Sequence, residues 1–173
     1  DEVVFETPAG LVTATTEVAV DTDGRPRVEH VAFENVPSFV YARDRTVDVP
    51  GVGAVGYDVA FGGAFYAYVE AADAGVGLEP GDAAELVDVG RRIKRAVAAD
   101  LDITHPTEDD LSFLYGTIFV DDDPDSDADS RNVCVFADGE VDRCPTGTGV
   151  SGRLALLAAG DRLAPGERFG VER

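Results

Sequence analysis

Residues 142–149 of this chain read Asp-Arg-Cys-Pro-Thr-Gly-Thr-Gly and run directly into an apolar, helix-like stretch. A helix start leaves backbone N–H groups without intrahelical acceptors and carries a partial positive charge. Glycine lets a ligand approach that backbone with no Cβ in the way. Gly147 and Thr148 therefore stand where a small anion would be held. A carboxylate fits better than a phosphate, because the lysine of a nucleotide-binding loop is missing here. Each charge-assisted bond to such an anion contributes about 1.5–3 kcal/mol. The pattern is equally consistent with Thr146 or Thr148 simply capping a core helix.

The elements that must position this mouth follow from periodicity. Leu11–Val20 and Val28–Phe33 read as strands joined by the turn Asp21-Thr22-Asp23-Gly24. Pro50-Gly51-Val52-Gly53 turns a second hairpin, between Thr46–Val49 and Ala54–Ala60. Gly62-Gly63 interrupts the strand-like run Tyr57–Val69, as at a bulge or a close backbone approach. A helix begins at Asp82, with Glu85 as a capping-box variant. Its apolar face is Leu86, Val89, Ile93 and Val97, and its basic cluster is Arg91, Arg92, Lys94 and Arg95. Leu111–Val120 reads as a strand, and Val133–Phe136 with Glu140–Arg143 as a final hairpin. In the last helix Val150, Leu154, Leu157 and Ala158 form the expected core stripe, with apolar neighbours nearly all round. The loop at residues 121–130 holds six aspartates, but no register supplies both the central Gly and the terminal Glu of a calcium loop, so no metal is expected there.

Asp and Glu number 34 against 14 Lys and Arg, a formal net charge of -20, and Lys94 is the only lysine. Such a field repels nucleic acid and anionic membranes, so neither is expected as a partner. An Asp-rich, Lys-poor surface suits concentrated salt, where screening relieves self-repulsion. No run of 18 apolar residues and no signal-peptide pattern appears, and Cys134 and Cys144 make no disulfide framework. A reduced, salty cytoplasm is the expected location. The absence of methionine and the strand-like first and last residues read as a piece of a longer polypeptide.

"DRCPTGTG" resembles the "DRSPCGTG" signature of the proline racemase family. "YDVAFGGAFYAYV" at 57–69 and "NVCVFADGEVDR" at 132–143 match the same family in the same order, so the resemblance covers essentially the whole chain. It implies an α+β, diaminopimelate epimerase-like fold. That fold has a mixed, mostly antiparallel sheet wrapped around a central buried helix, in two similar domains with the active site between them. Residues 1–173 would then be mostly the second domain. N- and C-terminal parts of the full chain, and the first catalytic motif, would be missing, leaving the piece inactive by itself.

Racemases and epimerases of the family use two cysteines, one on each face of the substrate α-carbon. Thr146 occupies the place of the second. A thiol titrates near about 8.5, whereas a threonine hydroxyl cannot exchange protons with carbon near neutral pH. The resemblance therefore implies cofactor-independent dehydration of trans-3-hydroxy-L-proline to Δ1-pyrroline-2-carboxylate, with no metal. By position, Asp142 would bind the ring nitrogen, Gly147 and Thr148 the carboxylate through backbone amides, and Phe136 the pyrrolidine ring. Thr146 would face the α- and β-carbons. Asp142 as a plain turn residue and Phe136 as ordinary core are the alternatives.

Cys144 stands where the family has serine. As a displaced second thiol it would support the alternative activity, proline racemase or 4-hydroxyproline epimerase. A non-catalytic imino-acid-binding domain is the third reading. Tyr115 is a further candidate contact for the substrate hydroxyl, while His30, His105 and Lys94 read as structural. A homodimer remains open.

Overall fold

In the computed structural model, which describes residues 2–122, 124 and 126–173, the chain divides into two compact units, Asp1–Pro37 and Ser38–Arg173. The first unit is a three-stranded antiparallel sheet of β1 (Glu2–Thr7), β2 (Gly10–Val20) and β3 (Pro26–Glu34), in the order β1-β2-β3. Its register sets Val3 beside Ala14 and Ala14 beside Phe33, while Phe5 lies opposite Val12. A register shift at Glu17/Val18 returns Val18 and Val28 to partnership. Alternation then gathers Val3, Phe5, Val18, Val28, Val31 and Phe33 on one apolar face, each about half-exposed.

The second unit holds β4 (Phe39–Val49), β5 (Gly53–Phe61), β6 (Phe65–Glu70), the short α1 (Ala71–Ala74), α2 (Ala83–Asp100), β7 (Leu114–Asp121), β8 (Ser130–Phe136), β9 (Glu140–Val141), α3 (Gly147–Ala159) and β10 (Val171–Glu172). The sheet order is β10-β8-β7-β6-β5-β4, with β9 also paired to β8. The pairings β6–β7 and β8–β10 are parallel and the rest antiparallel, which is the mixed, mostly antiparallel α+β architecture expected.

The sheet is covered on both faces. Thr117 Oγ1 donates to the Gly90 carbonyl of α2, and a Cβ at Gly90 would meet Val135 at 2.8 Å. The alternate residues Ile118 and Tyr68 instead meet α3, at Gly149 and Gly152. Because a helix covers each face, β6, β7 and β8 are almost continuously buried and apolar rather than alternating. The long helix α2 packs on β7, β8 and the distant edge strand β4, so the sheet curls around it. Its buried stripe of Leu86, Val89, Gly90, Ile93 and Val97 has the expected helical spacing.

Three local expectations change. The glycine pair Gly62-Gly63 does not bulge one strand but turns between β5 and β6, with Phe61 paired to Phe65. The capping box lies one turn earlier than expected: Asp82 Oδ2 accepts the Glu79 N–H at 3.0 Å and closes the short turn Pro80–Asp82, and no side-chain cap serves α2 itself. In α3 the buried stripe is Gly149, Gly152, Arg153, Leu156 and Leu157, and Ala158 is exposed. Close packing of α3 on β5 and β6 demands small residues at the contact, and that turns the helix relative to the stripe read from hydropathy. Of the acidic loop, Asp123 and Asp125 lie outside the described residues, and among the described residues no three His, Cys, Asp or Glu side chains gather as metal ligands. No described helix is long and apolar enough to cross a membrane.

Candidate active site

Antiparallel pairing of Val135 with Val141 places the following residue, Asp142, beside β8, where its N–H donates to the Cys134 carbonyl at 3.3 Å. The chain then turns into α3 through Thr146. This residue has φ 68° and ψ 91°, a left-handed conformation that is rare for a β-branched side chain and costs about 1–3 kcal/mol. Its hydroxyl does not cap the helix. Thr146 Oγ1 donates to Asp142 Oδ2 at 2.6 Å, a short bond to a carboxylate, and the residue is 5% exposed. The Thr148 hydroxyl is bonded to Tyr66 instead, at 2.9 Å, so neither threonine acts as the cap that the sequence pattern allowed.

Val150 N–H donates to the Thr146 carbonyl, leaving the N–H groups of Gly147, Thr148 and Gly149 without acceptors among the described residues. These donors, the helix dipole and the half-buried Asp142 make a mouth that combines an anion cradle with a fixed negative charge.

Three strands hold the mouth in place. Tyr68 Oη donates to the Gly149 carbonyl at 2.7 Å, and Gly152 leaves room for that hydroxyl, since a Cβ there would fall 2.2 Å from it. At the β5–β6 turn, a Cβ on Gly62 would lie 2.2 Å from the Thr148 carbonyl oxygen and 2.7 Å from the Gly152 nitrogen. The close backbone approach read from the glycine pair is therefore made, and against the helix mouth itself. Phe136 reaches the group through aromatic contacts: its ring lies 5.5 Å from that of Tyr115, which meets Tyr66 edge-on at 5.9 Å. Burial raises the Tyr66 and Tyr115 phenols, and the charge of Asp142 adds to this, so both stay protonated at neutral pH.

The two cysteines differ sharply. Cys144 is exposed, whereas Cys134 is 1% exposed beneath the site. Burial pushes the Cys134 thiol up to about 12, a hydrogen bond with Thr146 partly opposing it. Sequence reasoning passed over Cys134, Tyr66 and Tyr68. The available signal was strand alternation, which puts Tyr66 and Tyr68 on the face of β6 that α3 covers.

Lys94 lies on α2, where its Nζ donates to the Ala137 carbonyl at 2.6 Å. His105 Nδ1 accepts the N–H groups of Thr107 and Glu108 while its ring packs 4.7 Å from Phe61, and His30 lies on β3 of the first unit. A separate cleft of about 300 Å³, lined by Arg45, Tyr57, Glu70 and Arg153 among others, includes none of Asp142, Thr146, Gly147 or Thr148.

Comparison with known proteins places this architecture. Trans-3-hydroxy-L-proline dehydratase of Colwellia psychrerythraea is 48% identical over 171 residues, which is 99% of this chain and 47% of that protein. The Homo sapiens protein of the same name is 49% identical over 150 residues, 86% of this chain and 41% of its own length. Among solved structures, a hydroxyproline epimerase from Agrobacterium vitis with bound trans-4-hydroxy-L-proline superposes with a TM-score of 0.86 at 37% identity, covering 98% of this chain and 47% of that one. This chain thus spans about half the length of the relatives it matches. The proline racemase family model matches residues 1–172, and the chain belongs to the proline racemase family.

Proposed function

We propose that these residues form the substrate-binding half of a cofactor-independent dehydratase that converts trans-3-hydroxy-L-proline to Δ1-pyrroline-2-carboxylate. The observation that carries this reading is the state of Thr146. Where a two-base racemase needs a thiol, this chain buries a hydroxyl committed to Asp142. The nearest thiol, Cys134, is held protonated by burial. The names of the relatives at 48% and 49% identity support the same reading.

In this mechanism Asp142 pairs with the ring ammonium while the amides of Gly147 and Thr148 hold the carboxylate. Anchoring both ends fixes the α C–H toward a base supplied outside these residues. Removal of that proton breaks the C–H bond, its electron pair forms the α,β double bond, and the β C–O bond breaks; the departing hydroxyl takes one proton back from the protonated base outside these residues and leaves as water. The enamine then tautomerises to the imine. Phe136 packs against the ring, and Thr146 faces the departing group. No step asks Thr146 to gain or lose a proton at carbon, as an alcohol cannot near neutral pH.

Residues 1–173 correspond, on this reading, mostly to the second domain. The chain by itself is expected to be inactive.

The test uses the full-length protein in heavy water, followed by NMR and chiral chromatography. It should dehydrate trans-3-hydroxy-L-proline and leave L-proline and trans-4-hydroxy-L-proline uninverted, whereas Thr146→Cys should gain measurable α-deuteration of those two. Cys144→Ser should leave dehydration nearly intact. Efficient inversion by the unmodified protein, abolished by Cys144→Ser, would establish the racemase or epimerase reading with Cys144 as the second thiol. Tight binding of imino acids without any turnover would leave only the binding-domain reading.

The acidic surface belongs to the same proposal as an adaptation to a salty cytoplasm. Screening should relieve the repulsion of a net charge of -20, so the melting temperature should rise by several degrees between dilute buffer and about 2 M potassium chloride. An unchanged melting temperature across that range removes the salt-adaptation reading.

A further inference from the structure

Tyr66 lies on β6 with 2% of its surface exposed, and its hydroxyl meets the Thr148 hydroxyl at 2.9 Å. Distance alone does not say which oxygen donates, and either direction leaves one proton without an acceptor among the described residues, but the burial and acidity of the phenol favour Tyr66 as the donor. No other acceptor for the Tyr66 proton is found among the described residues, and a buried phenol O–H is rarely left without one. A phenol is also by far the stronger acid and therefore the better donor of the pair. Tyr66 thus gives its proton to Thr148 Oγ1. The Thr148 proton is left without an acceptor among the described residues, beside the unpaired N–H groups of Gly147 and Thr148.

We infer that Tyr66 is a positioning residue that aims the Thr148 hydroxyl at the substrate carboxylate as a third donor, beside the two backbone amides. This deepens the dehydratase reading and rests on it. The geometry favours a fixed aim. Tyr68, two residues along β6, holds the Gly149 carbonyl at 2.7 Å, so one strand face pins both the backbone and the hydroxyl of the first turn of α3. The Tyr66 ring is itself held edge-on by Tyr115 at 5.9 Å. Because burial keeps the phenol protonated throughout the physiological range, the direction of donation does not change there.

The experiment measures binding of pyrrole-2-carboxylate, a planar mimic of the substrate with its α-proton removed, to the full-length protein, together with kcat and KM for trans-3-hydroxy-L-proline. Thr148→Val should weaken pyrrole-2-carboxylate binding by about tenfold, the worth of one bond to a charged group. Thr148→Ser should restore it. Tyr66→Phe should weaken binding by at least about threefold and raise KM more than it lowers kcat, with the melting temperature recorded for each variant. The decisive outcome is the double variant Tyr66→Phe/Thr148→Val. If Tyr66 acts only through the Thr148 hydroxyl, the double variant should bind no more weakly than Thr148→Val alone. Multiplying losses, or a Tyr66→Phe protein that binds like the unmodified one, overturns the inference. If pyrrole-2-carboxylate leaves the Gly147 and Thr148 amide resonances of the unmodified protein unperturbed, the carboxylate-cradle reading beneath it fails instead.

Discussion

Asp142→Ala in the full-length protein should lose affinity for its imino-acid substrate by roughly 30- to 4,000-fold. That range corresponds to about 2–5 kcal/mol, the cost of removing one partner from an enclosed, hydrogen-bonded charge pair. A second loss follows from the geometry at Thr146. Thr146 is 5% exposed and its hydroxyl donates to Asp142 Oδ2, so deleting the carboxylate strands a buried donor and lowers stability by about 1–3 kcal/mol. Asp142→Asn separates the two effects. The amide oxygen still accepts from Thr146, and stability should stay within about 0.5 kcal/mol of the unmodified protein. The negative charge is gone, however, and substrate affinity should still fall by at least about tenfold. Calorimetric titration and thermal melts of both variants give the check. An asparagine variant that binds substrate normally would show that Asp142 serves the turn and not the ammonium.

Gly62→Ala should combine a large loss of activity with a clear loss of stability, although Gly62 carries none of the proposed chemistry. A Cβ at this position would lie 2.2 Å from the Thr148 carbonyl oxygen and 2.7 Å from the Gly152 nitrogen. Both atoms belong to helix backbone, which cannot swing aside as a flexible side chain can. The start of α3 must therefore shift away from the β5–β6 turn, carrying the Gly147 and Thr148 amides with it. Overpacking of this kind costs about 1–3 kcal/mol or more. Displacement of substrate-positioning groups by about 1 Å can cost on the order of a hundredfold in rate. The melting temperature should fall by at least about 2–4 °C for a chain of this size. Gly56→Ala is the control, because nothing lies within 4 Å of its added Cβ, and it should change neither quantity appreciably. A Gly62→Ala protein with normal melting and normal turnover would mean that α3 is not held where the backbone contact places it.

Much of this was legible from residue order alone, wherever the controlling interaction is local. The buried stripe Leu86, Val89, Ile93 and Val97 follows from helical periodicity, and the Asp21–Gly24 and Pro50–Gly53 turns from residue types that favour tight reversals. The anion-cradle reading of Gly147 and Thr148 also needed only adjacent residues, since a helix start exposes its own N–H groups wherever it occurs. Even the close approach at Gly62 left a trace, because a glycine pair inside a strand-like run marks a place where a side chain would not fit.

Tertiary structure decided which partner each polar group takes. The pattern left Thr146 free to cap α3, but a left-handed backbone at that residue and the β8–β9 pairing turn its hydroxyl to Asp142. Tyr66 and Thr148 are 82 residues apart in the chain, and only the pairing of β6 with β7, which brings β6 under α3, lets one hydroxyl meet the other. Cys134 rather than Cys144 became the buried thiol because β8 lies inside the sheet, while Cys144 falls in the exposed turn before the helix. Hydropathy assigned α3 the stripe Val150, Leu154, Leu157 and Ala158. Steric demand rotated it to Gly149, Gly152 and Leu156, because a backbone packed this closely selects for small residues before apolar ones. Periodicity records what a residue does with its neighbours in the chain. The contacts that hold this site come from strands brought together across the fold, and their register is set by the packing of the whole sheet.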